Sequence, residues 1–254
     1  MLNSLILFSI AFTILSSFKR LLQLFFHHTR TGDWNEHENE TKIGIVIYSG
    51  GTFPVFIAGS SFKDLGNVAG KEKIEALREQ GFIKGVSSGQ FLPGQEMTAA
   101  QGIQLISNAM GLSLAAIDFT EGPYAEDTFD HVKDGQWYTD AFLATYYNGV
   151  EIPVTIEPGQ ELTKEEFTFY LMQAMEKKGQ LPMINILLRK ITDEAEINPL
   201  YQGSIQRSLA LDINTLNGEG GLDPKQPITR AEAAVMTYNA VSFLQSLDSG
   251  TPAQ

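Results

Sequence analysis

Leu222-Asp223-Pro224-Lys225-Gln226-Pro227-Ile228-Thr229 is the stretch that decides the fold, because the chain contains it in three versions. The other two are Phe91-Leu92-Pro93-Gly94-Gln95-Glu96-Met97-Thr98 and Ile156-Glu157-Pro158-Gly159-Gln160-Glu161-Leu162-Thr163. All three follow the pattern apolar-x-Pro-x-Gln-x-apolar-Thr, and their threonines are 65 and 66 residues apart. A repeat of this size is one supersecondary unit, which buries its apolar surface by packing on its neighbours. The sequence therefore predicts a triplicated module.

Each of these stretches ends where a helix is predicted to begin. A threonine is a good N-cap, and a Gln or Glu three residues later completes a capping box. The predicted capping residues are Thr98 with Gln101, Thr163 with Glu166, and Thr229 with Glu232. Apolar residues recur at helical spacing after each threonine, which predicts three amphipathic helices with one buried face.

A second helix is predicted before each stretch, through Ile74 and Leu77, Phe142 and Leu143, and Ile205 and Leu209. Glycine-bearing turns connect these helices to the repeated stretches. An aspartate precedes each of the second helices, namely Asp64, Asp130 and Asp193. We expect these aspartates to accept hydrogen bonds from backbone N–H groups in turns. The neighbouring Glu165 and Glu166 are not expected to face each other, because adjacent helical residues point apart.

These residues resemble the S-layer homology (SLH) domain. Ile228-Thr229-Arg230-Ala231-Glu232 is similar to the last motif of that family, and Trp137-Tyr138-Thr139-Asp140-Ala141 is similar to its tryptophan helix start. The glycine turn of the family resembles residues 217–224, and residues 85–93 in a weaker form. The resemblance extends over residues 60 to 245.

The resemblance implies a mostly α-helical fold with three tandem helical repeats in a pseudo-threefold arrangement. It implies a central three-helix bundle, short extended connectors and grooves between repeats. It also implies that these grooves bind an anionic secondary cell-wall polymer, in some members a pyruvylated one. Carried over to this chain, the glycan-binding residues would be Arg230, Thr229, Lys164, Thr163, Trp137 and Gly220. A guanidinium suits this role because it binds a carboxylate through two parallel hydrogen bonds.

The three copies are not equal at the motif arginine. The first copy has Ala99 in place of Arg230, and the second has Lys164, which keeps the charge without the planar fork. Arg230 itself has a plainer interpretation, either as a solvated residue or as one that pairs with a surface acid. Because tryptophan is mostly buried, Trp137 is expected to anchor a core or an interface more often than to carry a sugar. Alanine in place of Arg230 is expected to weaken polymer binding and to leave the fold intact.

Composition excludes several classes of protein. The net charge of −12 argues against nucleic acid as a partner, because nucleic-acid binding needs a basic face. The absence of cysteine excludes disulfides, thiolate metal sites and cysteine nucleophiles. We expect no cofactor and no metal, and a cluster of His27, His28 and His37 is interpreted as a polar linker.

The N-terminus is interpreted as an export region, residues 1–58. Residues 2–18 are apolar and precede Lys19 and Arg20, which reverses the order of charge and apolar run in a signal peptide. Residues 41–58 fit that order better, so we hypothesise a true start near residue 41. The rival interpretation is an uncleaved anchor, because about 18 apolar residues can span a bilayer. The remaining predicted boundaries are 59–117, 118–179 and 180–246 for the first, second and third copies, and 247–254 for a tail.

Two short motifs resemble catalytic or nucleotide-binding motifs, but the sequence evidence for them is weaker than that for the repeats. Gly85-Val86-Ser87-Ser88-Gly89 matches the nucleophile elbow, but it lies in the repeat's own turn and only His131 follows it. Residues 66–71 resemble a phosphate-binding loop that is one residue short, and they are interpreted as a loop before a helix.

The sequence therefore predicts a secreted, non-enzymatic protein of a Gram-positive cell surface. Its expected role is attachment to the cell wall or S-layer through the wall polymer, with other S-layer proteins as further partners. The alternative is a structural or protein-interaction module that has lost glycan binding.

Overall fold

A computed structural model describes residues 44–48, 51–55, 61–87, 89–179, 181 and 187–249. The chain divides into two compact units, Met1–Gly59 and Ser60–Gln254. In the first unit, strands β1 (Gly44–Tyr48) and β2 (Gly51–Val55) pair antiparallel, with Gly44 opposite Val55. The sequence did not predict this hairpin. The rest of the predicted export region, including the proposed start near residue 41 and the three histidines, lies outside the described residues.

The second unit is helical, as predicted. Its helices are α1 (Lys71–Glu79), α2 (Ala99–Met110), α3 (Ala125–Thr128), α4 (Thr139–Tyr147), α5 (Lys164–Lys178), α6 (Gln202–Ala210) and α7 (Arg230–Asp248). Glu194–Glu196 forms one turn of 3-10 helix. Within the described residues, no helix combines the length and apolar character that crossing a bilayer requires.

All three predicted capping boxes are confirmed. Thr98, Thr163 and Thr229 are the N-caps of α2, α5 and α7, which we call the capped helices. In each box the threonine oxygen accepts from the N3 amide, and the N3 side chain accepts from the threonine amide. The sequence pattern therefore fixed the start of each capped helix to the residue.

The copies interlock through their helices. Each capped helix contacts the other two, and their apolar faces belong to one buried cluster. The other long helix of each copy packs on the capped helix of a different copy: α1 on α7, α4 on α2, and α6 on α5. Each copy thus covers the apolar face of another, so one copy alone could not complete its core.

Backbone hydrogen bonds close a ring through the three repeated stretches. The amide of Met97 donates to Ile228 O (3.0 Å), that of Ile228 to Leu162 O (2.8 Å), and that of Leu162 to Met97 O (3.0 Å). The three side chains are buried. Because the bonds run from copy to copy and return to the first, the ring fixes the register of all three stretches at once.

The first two amides of every capped helix donate to the stretch of another copy. Ala99 and Ala100 bind the second copy, Lys164 and Glu165 the third, and Arg230 and Ala231 the first. The acceptors are the carbonyls of the repeated Gln and Pro, at 2.7 to 3.1 Å. These amides have no partner inside the helix, so the neighbouring copy satisfies them.

Two of the three predicted aspartate turns are confirmed. Asp64 accepts from the amides of Phe91 (2.9 Å) and Leu92 (2.7 Å), and Asp193 accepts from the equivalent amides of Leu222 and Asp223. Leu92 and Asp223 have left-handed φ angles of 57° and 56°, which non-glycine residues seldom adopt. The carboxylate therefore holds a strained turn.

The prediction for Asp130 is wrong by one residue. Its amide donates to Val154 O, as the amides of Lys63 and Thr192 donate to the turns of their own copies. His131 therefore occupies the position of Asp64 in the second copy. Asp130 is exposed, and its side chain makes no hydrogen bond to any described residue. The pattern Thr-Phe-Asp misled the alignment, because an aspartate lies next to the aligned position.

We expect Asp64→Asn to lower the free energy of unfolding by roughly 1 kcal/mol, because an amide cannot accept both turn amides as strongly as a carboxylate. Burial acts to raise the pKa of Asp64, but the amides of Phe91 and Leu92 outweigh it and hold that pKa below its usual value. The carboxylate's contribution is therefore complete above the unfolded pKa of about 3.9 and is lost as the pH falls through the lower folded value.

Urea unfolding of both proteins between pH 7 and pH 3 measures this difference. It should stay constant near neutrality and shrink below about pH 4. Asp130→Asn is the matched control and should unfold like the parent chain. An equal loss in both variants would contradict the turn assignment.

Candidate functional site

A cavity of about 410 Å³ lies beside the N-terminus of α7, and we call it the first cavity. Arg230 and Ala234 of α7 line it from one side, and Gln101, Gln104, Leu105 and Asn108 of α2 from another. Residues 81–84, Phe91 and Met97 of the first copy and Trp137 of the second complete the lining. The cavity therefore draws on all three copies.

Arg230 is held at this cavity by the first copy. Its Nε donates to Phe91 O (2.8 Å) and its Nη2 to Lys84 O (3.3 Å). Its Cζ lies 4.8 Å from the centre of the Phe91 ring, within cation–π distance. Only 8% of the residue is exposed, so the interpretation of Arg230 as a solvated surface residue is wrong. Nη1 donates no hydrogen bond to any described residue, which leaves its two N–H groups for a ligand.

The peptide group that joins Phe91 to Leu92 lies between two opposite charges. Its N–H, that of Leu92, donates to the Asp64 carboxylate, and its C=O, that of Phe91, accepts from the Arg230 guanidinium. Burial lowers the pKa of Arg230, while the charge of Asp64 acts in the opposite direction. A guanidinium remains protonated in proteins, so the cavity keeps a fixed positive charge.

Trp137 is 63% exposed and lines the first cavity. The expectation that it anchors the core is therefore wrong, and an anchoring role at an interface stays a prediction. Its ring is nearly perpendicular to that of Tyr138, with the ring centroids 5.3 Å apart, and this contact orients the indole. The residue sits just before α4, whose buried face packs on α2 and so carries the indole to the cavity.

Lys164 occupies the same helix position as Arg230 and lines a different cavity of about 500 Å³, which we call the second cavity. Its Nζ lies 2.9 Å from Glu232 Oε1 and 3.7 Å from Asp223 Oδ2. Burial acts to raise the pKa of Glu232, but the amide and hydroxyl of Thr229 and the ammonium of Lys164 lower it overall. The charge of Lys164 is thus offset within the protein.

The two cavities differ in charge at equivalent positions. Gln101 in the first cavity corresponds to Glu232 in the second, because both are the N3 residues of capping boxes. Lys84 and Arg230 line the first cavity, and none of the described residues that line it is acidic. The second cavity is lined by two lysines, Lys73 and Lys164, together with Asp223 and Glu232. An anion is therefore favoured in the first cavity and not in the second.

The remaining predicted site residues do not line either cavity. The hydroxyls of Thr229 and Thr163 donate to Glu232 (2.7 Å) and Glu166 (2.8 Å), so both are engaged in their caps. Gly220 has a φ of 78° in the turn of the third copy, a conformation that favours glycine. These three residues shape the backbone around the cavities.

Sequence reasoning missed Gln104 and Asn108 and the backbone of residues 82–83, all of which line the first cavity. The two amides lie one turn apart on α2, and Gln104 Nε2 donates to Asn108 Oδ1 at 2.9 Å. A comparison of the capped helices could have found them, because the third and second copies carry Val235 and Phe169 at the position of Gln104.

The catalytic patterns do not form catalytic sites among the described residues. Ser87 Oγ hydrogen-bonds to Gln90 Oε1 (2.8 Å), and His131 is exposed without a side-chain hydrogen bond there. Gly70 begins α1 in a left-handed conformation, so residues 66–71 are a loop before a helix, as predicted. The part of the chain that the structure describes holds no cluster of three or more candidate metal ligands.

Residues 61–101 match the family model of the S-layer homology domain. The first copy therefore contains a segment similar to the S-layer homology domain. The chain is 27% identical over 187 residues to the surface-layer 125 kDa protein of Lysinibacillus sphaericus, which covers 70% of this chain and 15% of that protein. It is 28% identical over 197 residues to S-layer protein sap of Bacillus anthracis, with 74% and 22% covered. It is 26% identical over 217 residues to exoglucanase XynX of Acetivibrio thermocellus, with 84% and 19% covered.

The SLH domain and the surface-layer relatives support cell-surface attachment at a coarse level. The chain spans less than a quarter of the length of each of these relatives, and they include both S-layer proteins and an enzyme. The family match covers the first copy up to its capping box, residues 61–101.

Because Arg230 is buried and tied to two carbonyls, alanine at this position should affect the fold, which corrects the expectation from sequence. We expect Arg230→Ala to lower the free energy of unfolding by about 3 kcal/mol, since hydrogen bonds to charged groups contribute about 1.5–3 kcal/mol each. Lys164→Ala removes a partly exposed ion pair and should cost less than about 1 kcal/mol. Urea unfolding measures both, and equal losses would show that the Arg230 contacts add nothing beyond the Lys164 pair.

Proposed function

We propose that this protein attaches to the cell wall by binding an anionic secondary cell-wall polymer in the first cavity. In this proposal the three copies are SLH modules in a pseudo-threefold arrangement. The protein is exported, and the module itself is not catalytic. Arg230 binds the anionic group and Trp137 stacks on a sugar face. Thr229, Thr163 and Gly220 hold the surrounding backbone, and Lys164 gives a weaker second site.

The observation that carries the proposal is the uncompensated charge of the first cavity. Arg230 has a free Nη1 within the described residues, and the acid nearest to it in the network, Asp64, is engaged by two backbone amides. A negatively charged ligand therefore has a cation to pair with and no carboxylate lining the cavity to repel it. The chain has a net charge of −12, so a polyanion is repelled by the rest of the protein. This repulsion restricts binding of the polyanion to the positively charged first cavity.

The same geometry ranks the three sites. The first copy offers Ala99, whose side chain is fully buried, at the position of Arg230. Lys164 is offset by two carboxylates, and a ligand would have to displace them. We therefore propose that the polymer binds chiefly at Arg230, with one dominant site in each chain. A pyruvylated sugar would supply the carboxylate that a guanidinium binds well.

A structural role without glycan is the second candidate, and the burial of Arg230 favours it. A guanidinium that holds the turn of another copy would be retained for stability alone. The two functions predict different results for a variant that changes the charge of the first cavity without changing stability. Binding of the polymer changes if the cavity binds it, and stays the same if the role is structural.

Gln101→Glu separates them. Glutamate already completes the capping boxes of α5 and α7, so the variant should fold like the parent chain. It places a carboxylate where Glu232 pairs with Lys164, and we expect about tenfold weaker binding of anionic polymer, which corresponds to about 1.4 kcal/mol. Gln245→Glu on the exposed surface of α7 is the matched control, with the same change in net charge.

The assay is co-sedimentation of the full chain with cell walls that carry the polymer and with walls stripped of it. Weaker binding by Gln101→Glu than by the control supports the proposal. Binding of the polymer by the parent chain should also weaken as salt is added. Equal binding by both variants, or equal binding to stripped walls, would favour the structural role.

A further inference from the structure

The dipeptide Asn-Gly occurs twice in the chain, as Asn148-Gly149 and as Asn217-Gly218. In such a pair the backbone nitrogen of the glycine can attack the side-chain carbonyl carbon of the asparagine, because glycine has no Cβ to shield that nitrogen. The first pair follows the last residue of α4, and the second begins the glycine turn of the third copy. The same reactive pair therefore lies in two different surroundings.

The side chain of Asn217 is folded back over the turn that follows it. Its Oδ1 accepts from the amides of Glu219 (3.0 Å) and Gly221 (2.8 Å), and its Nδ2 donates to Asp223 Oδ2 (3.0 Å). The amide of Gly218 makes no hydrogen bond to any described residue. Asn217 and Gly218 are both exposed, so water reaches the pair. The side-chain carbonyl is thus polarised beside a backbone nitrogen that is free to react.

The side chain of Asn148 has the opposite arrangement. Its Nδ2 donates to Ala144 O (2.7 Å) and Ser113 O (2.9 Å), while its Oδ1 accepts from no described residue. The amide of Gly149 donates to Tyr146 O at 2.8 Å. An attack by this nitrogen would have to break the contacts that end α4, and no donor would stabilise the product charge.

The two amides on Asn217 Oδ1 form an oxyanion hole. When the Gly218 nitrogen has lost its proton to hydroxide and adds to Asn217 Cγ, negative charge develops on Oδ1, where both amides already donate. The new N–Cγ bond closes a cyclic imide, the Cγ–Nδ2 bond breaks, and Nδ2 leaves as ammonia with a proton from water. Water then opens the imide at either carbonyl carbon, which gives aspartate or isoaspartate.

We propose that Asn217 is a site of spontaneous deamidation directed by the fold, with the Gly218 nitrogen as nucleophile and the amides of Glu219 and Gly221 as the oxyanion hole. The folded chain protects Asn148. The only co-reactants are water and hydroxide. The inference concerns a covalent change in the protein and stands independently of the proposed function.

Deamidation changes the charge of the second cavity, which Asn217 lines. A carboxylate at this position cannot donate to Asp223 and places a second negative charge beside it. The described lining then holds three acids against two lysines, Lys73 and Lys164, in place of two acids. The first cavity, which Asn217 does not line, keeps its charge.

The test compares the two pairs within one chain. The full chain is incubated in ¹⁸O-labelled water at mildly alkaline pH, once folded and once in guanidinium chloride, and is then digested with trypsin in ordinary water. Mass spectrometry follows residues 134–164 and 208–225, the peptides that contain the two pairs, and fragmentation locates the ¹⁸O. Deamidation during digestion carries no label.

We expect the two asparagines to react at similar rates in denaturant. In the folded chain we expect Asn217 to react no more slowly than in denaturant. Asn148 should react roughly tenfold more slowly, because its attack requires the loss of about one hydrogen bond. Equal rates of the two pairs in the folded chain, or protection of Asn217 by folding, would overturn the proposal.

Gly218→Ala tests the nucleophile. An added Cβ meets no heavy atom within 4 Å, and Gly218 has no positive φ, so this variant should fold like the parent chain. We expect labelling of Asn217 to fall roughly tenfold, because the methyl group shields the nitrogen. Gly122→Ala, whose Cβ also has open space, is the matched control and should leave the rate unchanged. An unchanged rate in Gly218→Ala would reject the Gly218 nitrogen as the attacking atom.

Discussion

The rest of the structure depends on one constraint, which is that each capped helix gives its first two backbone amides to another copy. A helix leaves these N–H groups without partners, and they must be satisfied by something outside it. Here the acceptors are carbonyls of the repeated Gln and Pro, so the stretch that begins one helix also caps a second one. The third amide goes to the threonine, and the glutamate or glutamine completes the box. The start of one helix cannot shift without moving the stretch of another copy.

This arrangement decides where a ligand can bind. A helix N-terminus commonly attracts anions through its free amides, but here the copies consume those amides themselves. In the proposed function an anion is therefore held by side chains, and the first helical position offers Ala99, Lys164 or Arg230. Of these, only Arg230 combines a cation with a cavity that no acidic residue lines. The loss of arginine from the other copies is consistent with structural use of those positions, since Ala99 is fully buried and Lys164 joins α5 to the cap of α7.

The fold could be predicted from sequence where the determinants are local. A threonine with Gln101 or Glu232 three residues later sets a helix start by hydrogen bonds within four residues, and all such starts are confirmed. The candidate site was harder, because its properties depend on contacts between distant residues. The burial of Arg230 requires the Phe91 carbonyl, 139 residues away, and the exposure of Trp137 depends on how another copy packs. No local pattern encodes either fact.

Arg230 joins stability and binding in one side chain. Hydrogen bonding to the Phe91 carbonyl offsets the cost of burying its guanidinium, and the N–H of the same peptide group, that of Leu92, donates to Asp64. The carboxylate and the guanidinium polarise that peptide in the same sense, which strengthens both hydrogen bonds. The side chain is therefore oriented before any ligand arrives, and a ligand need not order a flexible arginine. If the first cavity binds the polymer as proposed, the same rigidity limits it to ligands whose charged group can reach Nη1, and its selectivity follows from the contacts that close the fold.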